Sequence, residues 1–253
     1  MSSVRTAVDG AVLTVTIDRP AARNAIDAAT ALALADAFAT LDRRDDLRAA
    51  VLTGAGGNFS AGMDLKAFLR GESPVVDDRG FGGLCTRPPA KPLVAAVEGW
   101  ALAGGCELAL ACDIVVAGRT ARFGLPEVRR GLLATAGGTA RLPRRVPLGA
   151  AMLLALTGEP VVADEAHRLG LVDRLADGGD ALTTAQAIAR TIAANAPLSV
   201  VAGKAAVLAA HDTTLAEALA AAAHDAEHIA ASDDAREGAT AFAEKRAPRW
   251  TGR

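Results

Sequence analysis

Cysteine is scarce and odd in number. Cys85, Cys106 and Cys112 are the only three in 253 residues, and no C-x-x-C occurs. That pattern argues against a disulfide framework and leaves free core thiols in a reducing compartment as the expectation. An excess of charge of either sign is also missing, with 27 basic against 29 acidic residues and a formal net charge of -2. Such a balance exerts no global pull toward nucleic acid or acidic membranes, so neither is expected as a partner. An anionic ligand would have to be held by a local cluster. No apolar run reaches the roughly 18 residues that a membrane span needs. The start, "MSSVRTAVDG", lacks the apolar stretch of a signal peptide. A soluble, cytoplasmic protein is expected. The composition, 51% hydrophobic and 22% charged, is that of a globular chain long enough to bury a sizeable core.

Several familiar motifs are missing too. "VLTGAGGNF" places glycines after a strand-like run, but Phe59 stands where G-x-G-x-x-G needs its third glycine. "GNFSAGMD" has Met63 after Gly62, where a P-loop needs lysine, and no G-x-S-x-G is present. "HDAEH" (224–228) does fit the spacing H-x-x-E-H of a zinc site, with Glu237 and Glu244 as the obvious candidates for a third ligand. Five-residue matches are weak, and a polar helix face is the simpler explanation.

The organisation is that of an α/β chain. "AVLTVTID" (11–18) alternates as a half-buried strand does, and Asp27 is placed to cap a helix over "AATALALADAFATLD". "RAAVLTG" (48–54), "PLVAAVEG" (92–99) and "DIVVAG" (113–118) read as further strands, the second apolar enough to be covered on both faces. Residues 70–90 carry Gly, Pro and Asp without a period and predict a surface loop with mobility. Beyond about residue 140 the spacing turns helical, in a region suited to packing or assembly.

"WALAGGCELALACD" (100–113) sets a carboxylate and two glycines into an otherwise apolar run. Glycines at a helix start admit a ligand closely and leave N–H groups free, which the helix dipole makes receptive to negative charge. Glu107 lies about one turn in, and an ionised carboxylate in apolar company is costly unless it is paired or functional. "FSAGMDLK" (59–66) again leaves a glycine turn for a helix, with Asp64 in the first turn. "FGLPEVRRGLL" (123–133) sets Glu127 after Pro126. Two loops with free N–H groups and two carboxylates suit chemistry beside a carbonyl.

The same stretches, in order, resemble the crotonase superfamily of enoyl-CoA hydratases and isomerases. "IDRPAARNAID" resembles its R-P-x-x-x-N-A segment, "FSAGMDLK" its F-x-A-G-x-D-[LI]-K, and "AVEGWALAGGCELALACDIVVA" its A-V-x-G-x-A-x-G-G-G-x-E-L. "FGLPEVRRGLLATAGGTARLPR" and "EGATAFAEKRAP" resemble the two later segments. The resemblance implies an α/β fold, with a ββα spiral core over residues 1–195 and a C-terminal helical region over 196–253 that serves trimerisation. It implies that the backbone N–H groups of Met63 and Gly104 form an oxyanion hole for a CoA thioester, with Glu107 and Glu127 as catalytic glutamates. Arg23, Ala25, Ala61, Asp64, Leu65 and Lys66 fall on substrate- and CoA-binding positions. Phe242 and Lys245 match positions that reach the CoA of a neighbouring subunit in a homo-oligomer, a trimer or hexamer. The implied activity is enoyl-CoA hydration, with Glu107 as base, Glu127 as acid and no cofactor, CoA being part of the substrate. An isomerase or a specialised acyl-CoA dehydratase is the alternative within the family. A non-catalytic acyl-CoA binder is the alternative outside it, disfavoured because a binder needs no pair of glutamates. Two departures stand out. Ala103 replaces the first of three glycines, a mild change on the sequence alone. Ala134 replaces a frequent proline and leaves the acyl chain length open.

Overall fold

The computed structural model of the protein describes residues 2–177 and 179–253. β1 (Val4–Asp9) and β2 (Val12–Ile17) form an antiparallel hairpin that turns at Gly10, where φ is +56°. α1 (Ala28–Arg43) follows, capped by the Asp27 side chain accepting from Thr30 N. β3 (Ala49–Gly54), β6 (Leu93–Val97), β8 (Ile114–Gly118) and β11 (Arg174–Ala176) add in parallel beside β2, giving a sheet of order β1-β2-β3-β6-β8-β11. Parallel neighbours need crossovers, and those crossovers carry the site. Between β3 and β6 lie α2 (Leu65–Leu69), β4 (Val75–Val76) and β5 (Gly80–Phe81). Between β6 and β8 lie β7 (Trp100–Leu102) and α3 (Gly104–Leu110). A second sheet joins β7 to β9 (Arg122–Gly124) and β10 (Val161–Val162).

Alternation along the strands fills both faces of the main sheet. Leu52, Leu93, Ala95 and Val97 point into a core shared with Leu34, Phe38 and Leu41 of α1. Val51, Val94, Ala96 and Val116 point the other way, onto α7 (Ala181–Ala193). That helix offers Ala181, Ala185, Ala189 and Ala193 at every fourth position, a stripe small enough for it to lie close on the sheet. α4 (Gly138–Arg145), α5 (Leu148–Thr157) and α6 (Ala163–Leu169) precede α7, and α8 (Pro197–Ala210), α9 (Leu215–Ala230) and α10 (Asp233–Ala243) follow it. α8 and α9 bury no residue. No single described helix is long and apolar enough to cross a membrane.

The three cysteines are buried and free. The expectation of a surface loop over 70–90 needs correction. Phe81, Leu84 and Cys85 are core residues, because β4 and β5 form a short hairpin that turns the chain back inward. On α9, His224 and His228 meet edge to face at 4.7 Å, and among the described residues no third His, Cys, Asp or Glu completes a metal-holding group with them. Glu237 and Glu244 instead pair with Arg246.

Candidate active site

The residues after β3 run as an irregular strand alongside β7. Ser60 N donates to the Trp100 carbonyl at 2.9 Å and Leu102 N to the Ser60 carbonyl at 3.0 Å. Gly62, at φ +88°, then turns the chain against residues 25–27. Ile26 N donates to the Gly62 carbonyl at 2.8 Å, and Asp64 N donates to the Ile26 carbonyl at 2.9 Å. Flanked in this parallel fashion, Met63 directs its own N–H away from Ile26. Gly104 opens α3, so its N–H has no partner within the helix. Neither N–H donates to another group among the described residues. The two segments touch, since a Cβ on Gly62 would lie 2.8 Å from Gly104 N.

Ala103 precedes Gly104 with φ +51° and ψ -129°. A residue with a Cβ is strained there, so the replacement of glycine by Ala103 is not a mild change. The conformation is imposed from both sides: Ala103 N donates to the Gly124 carbonyl and its carbonyl accepts from Glu107 N.

Met63 and Gly104 line a cleft of about 1100 Å³ that also takes in Glu107 and Glu127. Glu107 sits in the first turn of α3 and is 3% exposed. Its Oε1 accepts from Gly138 N at 2.9 Å. Burial pushes its carboxyl up to about 7, the nearby Glu127 adds to the rise, and the Gly138 N–H opposes it. Glu127 stands in a 3-10 turn over Pro126–Arg130, whose proline suits the first position. It is 8% exposed, burial raises its carboxyl, and its Oε2 has no hydrogen-bond partner among the described residues. A buried carboxyl oxygen without a donor is rare in native proteins and marks a place where a ligand or water belongs.

Arg23, Ala25, Ala61, Asp64, Leu65 and Lys66 all line the same cleft. Arg23, Lys66 and Arg130 form no ion pair among the described residues, which leaves three cations at the cleft, Arg130 being the one whose charge acts on Glu127. Asp64 is otherwise occupied. It caps α2 by accepting from Lys66 N and Ala67 N, one position before the first turn in which the sequence placed it, and it pairs with Arg19. Phe242 and Lys245 are not brought to this cleft, and Phe242 is 87% exposed at the end of α10. Gly138 and Phe81 escaped the sequence reading as site residues. A Cβ on Gly104 would lie 2.4 Å from Phe81 Cζ, so a side chain there would have to displace the Phe81 ring.

A family profile described as enoyl-CoA hydratase/isomerase matches residues 7–253. A carnitinyl-CoA dehydratase of Salmonella arizonae is 41% identical over 260 residues, covering 99% of this chain and 98% of its own. Among solved structures, an enoyl-CoA hydratase from Mycobacterium tuberculosis is 51% identical with a TM-score of 0.97, covering all of both chains. A carnitinyl-CoA hydratase from Mycobacterium avium is 42% identical with a TM-score of 0.80, again over all of both chains.

Proposed function

This chain belongs to the enoyl-CoA hydratase/isomerase family, the crotonase superfamily, and on that footing we propose that it adds water reversibly across the C2=C3 bond of a 2-enoyl-CoA thioester. The observation that carries this reading is two buried carboxyls facing one cleft beside two free backbone N–H groups. The thioester oxygen accepts from Met63 N and Gly104 N. As water adds at C3, negative charge builds on that oxygen, and each fixed donor there contributes about 3 kcal/mol. Glu107 takes a proton from the water, and Glu127 supplies one to C2. Burial raises both carboxyls, Glu107 to about 7, so that near neutral pH its ionised form is populated beside the protonated one. The Gly138 N–H supports the ionised form that the base role needs, and the burial of Glu127 supports the protonated form that the acid role needs. In the dehydration direction the two exchange roles. This chemistry needs no metal or redox cofactor, and CoA enters as part of the substrate.

Arg23 and Lys66 are assigned to the CoA phosphates. Phe242 and Lys245, being away from their own chain's cleft, are assigned to the cleft of a neighbouring copy in a homo-oligomer, a trimer or hexamer. The exposed apolar side chains Val207 and Leu208 of α8 and Leu215 and Leu219 of α9 support assembly through the helical region.

Dehydration of carnitinyl-CoA is the second reading, and the Salmonella relative at 41% identity favours it. The trimethylammonium group of such a substrate calls for a facing carboxylate or aromatic cage. Of the other cleft carboxylates, Asp64 is held by Arg19 at 3.0 Å and Glu72 by Arg70 at 2.7 Å. Phe68 and Phe81 are the only aromatic side chains among the described lining residues, too few for a cage, and together these favour an uncharged acyl chain. The test is kcat/KM of the purified protein on crotonyl-CoA against carnitinyl-CoA. A ratio of about tenfold or more for crotonyl-CoA is expected, and the reverse order transfers the assignment to the carnitinyl substrate.

A further inference from the structure

Arg19 is not part of the cleft wall, yet it is tied to both backbone segments that present Met63. Its Nη2 reaches Asp27 Oδ2 at 2.9 Å and Asp64 Oδ2 at 3.0 Å, and its Nη1 donates to the Ala25 carbonyl. Its own backbone is fixed, because Arg19 N donates to Asn24 Oδ1 at 2.9 Å and its carbonyl accepts from Asn24 N at 2.9 Å. Asp27 and Asp64 are the caps of α1 and α2. They flank the single bridge between Ile26 and Met63, whose two hydrogen bonds direct the Met63 N–H. The guanidinium thus joins the caps across the place where that N–H is aimed. Burial pushes both carboxyls up, but their hydrogen bonds and the Arg19 charge outweigh it and hold both below the usual aspartate range. Without the cation, two carboxylates would repel each other across the bridge, and removing one partner of such a cluster costs more than the cluster contributes.

We propose that Arg19 is a positioning residue for the oxyanion site, clamping Asp27 to Asp64 and thereby holding the Met63 N–H on the thioester oxygen. The inference rests on the hydratase reading above. It assigns Arg19 a part in rate that its position outside the cleft does not suggest. Lysine cannot replace it fully, since a point charge does not fork between two carboxylates and a carbonyl.

The test compares wild type, Arg19→Met and Arg19→Lys with cinnamoyl-CoA as the probe. The enoyl-thioester absorption of this probe moves to the red as its carbonyl is polarised. Turnover of crotonyl-CoA is measured beside it, and folding is checked by circular dichroism. The red shift in wild type is expected to fall by at least about half in Arg19→Met. Turnover should fall about tenfold, less than the hundredfold or more of losing an oxyanion donor outright. KM should change by less than about threefold, because ground-state binding is largely kept. Arg19→Lys should lie between. A folded Arg19→Met with the full red shift overturns the proposal, whatever its turnover, since a purely structural role leaves carbonyl polarisation intact. If Arg19→Met does not fold, Asp27→Asn takes its place, because asparagine keeps the cap of α1 and loses the ion pair. An undiminished shift in that variant is equally fatal. No shift in wild type itself brings down the hydratase reading first, and the role of Arg19 with it.

Discussion

Glu107 shows what the site costs the fold. Its ordinary carboxyl value of 4.5 rises to about 7 through burial, so the folded chain holds a proton that the unfolded chain releases. An acid with a raised folded value loses stability as pH climbs from the unfolded value through the folded one, to a limit on the order of 3 kcal/mol for this shift. Gln at 107 can still accept from Gly138 N but carries no charge. Glu107→Gln should therefore have a Tm above wild type at pH 8, by several degrees, and a gap that closes toward pH 4. Equal pH slopes of Tm in thermal melts would contradict this. Ala103 makes a second residue-scale case. Relief of its strained backbone, less the flexibility glycine gains when unfolded, predicts that Ala103→Gly is more stable by about 1 kcal/mol. A lower urea midpoint would count against it. Glu107 is legible as a candidate in the sequence because a carboxylate in apolar company is conspicuous, and Glu127 because it follows Pro126 where a turn begins. The strain at Ala103 is not, since a backbone angle leaves no mark on the residue type.

Among the elements, α3 depends on how closely its start approaches the neighbouring backbone. A Cβ on Gly105 would lie 2.2 Å from the Ser60 carbonyl oxygen, a backbone atom that cannot step aside. Gly105→Ala is expected to lose about 2 kcal/mol or more in urea unfolding, and a neutral result would mean the two segments separate easily. Elements whose own pattern decides them are legible in the sequence: α1 with its Asp27 cap, the strands β2, β3, β6 and β8, and the helices from α7 onward. β1, β4, β5, β7, β9, β10 and β11 are not legible there, because they are short or exposed and owe their form to a partner strand. The same reason hid Phe81 in what resembled a loop. Gly138 carries no signal in the sequence, because nothing local says that its N–H meets a carboxylate 31 residues away in the chain.

At the scale of the whole molecule, apolar surface remains unburied on α8, α9 and α5, at Val207, Leu208, Leu215, Leu219, Met152 and Leu156. Exposed large apolar side chains in this number predict self-association. Light scattering on the purified protein should give a trimer or hexamer, and Leu215→Glu with Leu219→Glu should shift it toward monomer. A monomeric wild type would remove the proposed role of Phe242 and Lys245. The central claim concerns chemistry, however, and one assay meets it directly: loss of the enoyl absorbance of crotonyl-CoA with wild type, Glu107→Gln and Glu127→Gln. Turnover in wild type that drops at least about a hundredfold in each variant is the expected result. A wild type that binds crotonyl-CoA without hydrating it, or a variant of either glutamate with full activity, would contradict the hydratase assignment.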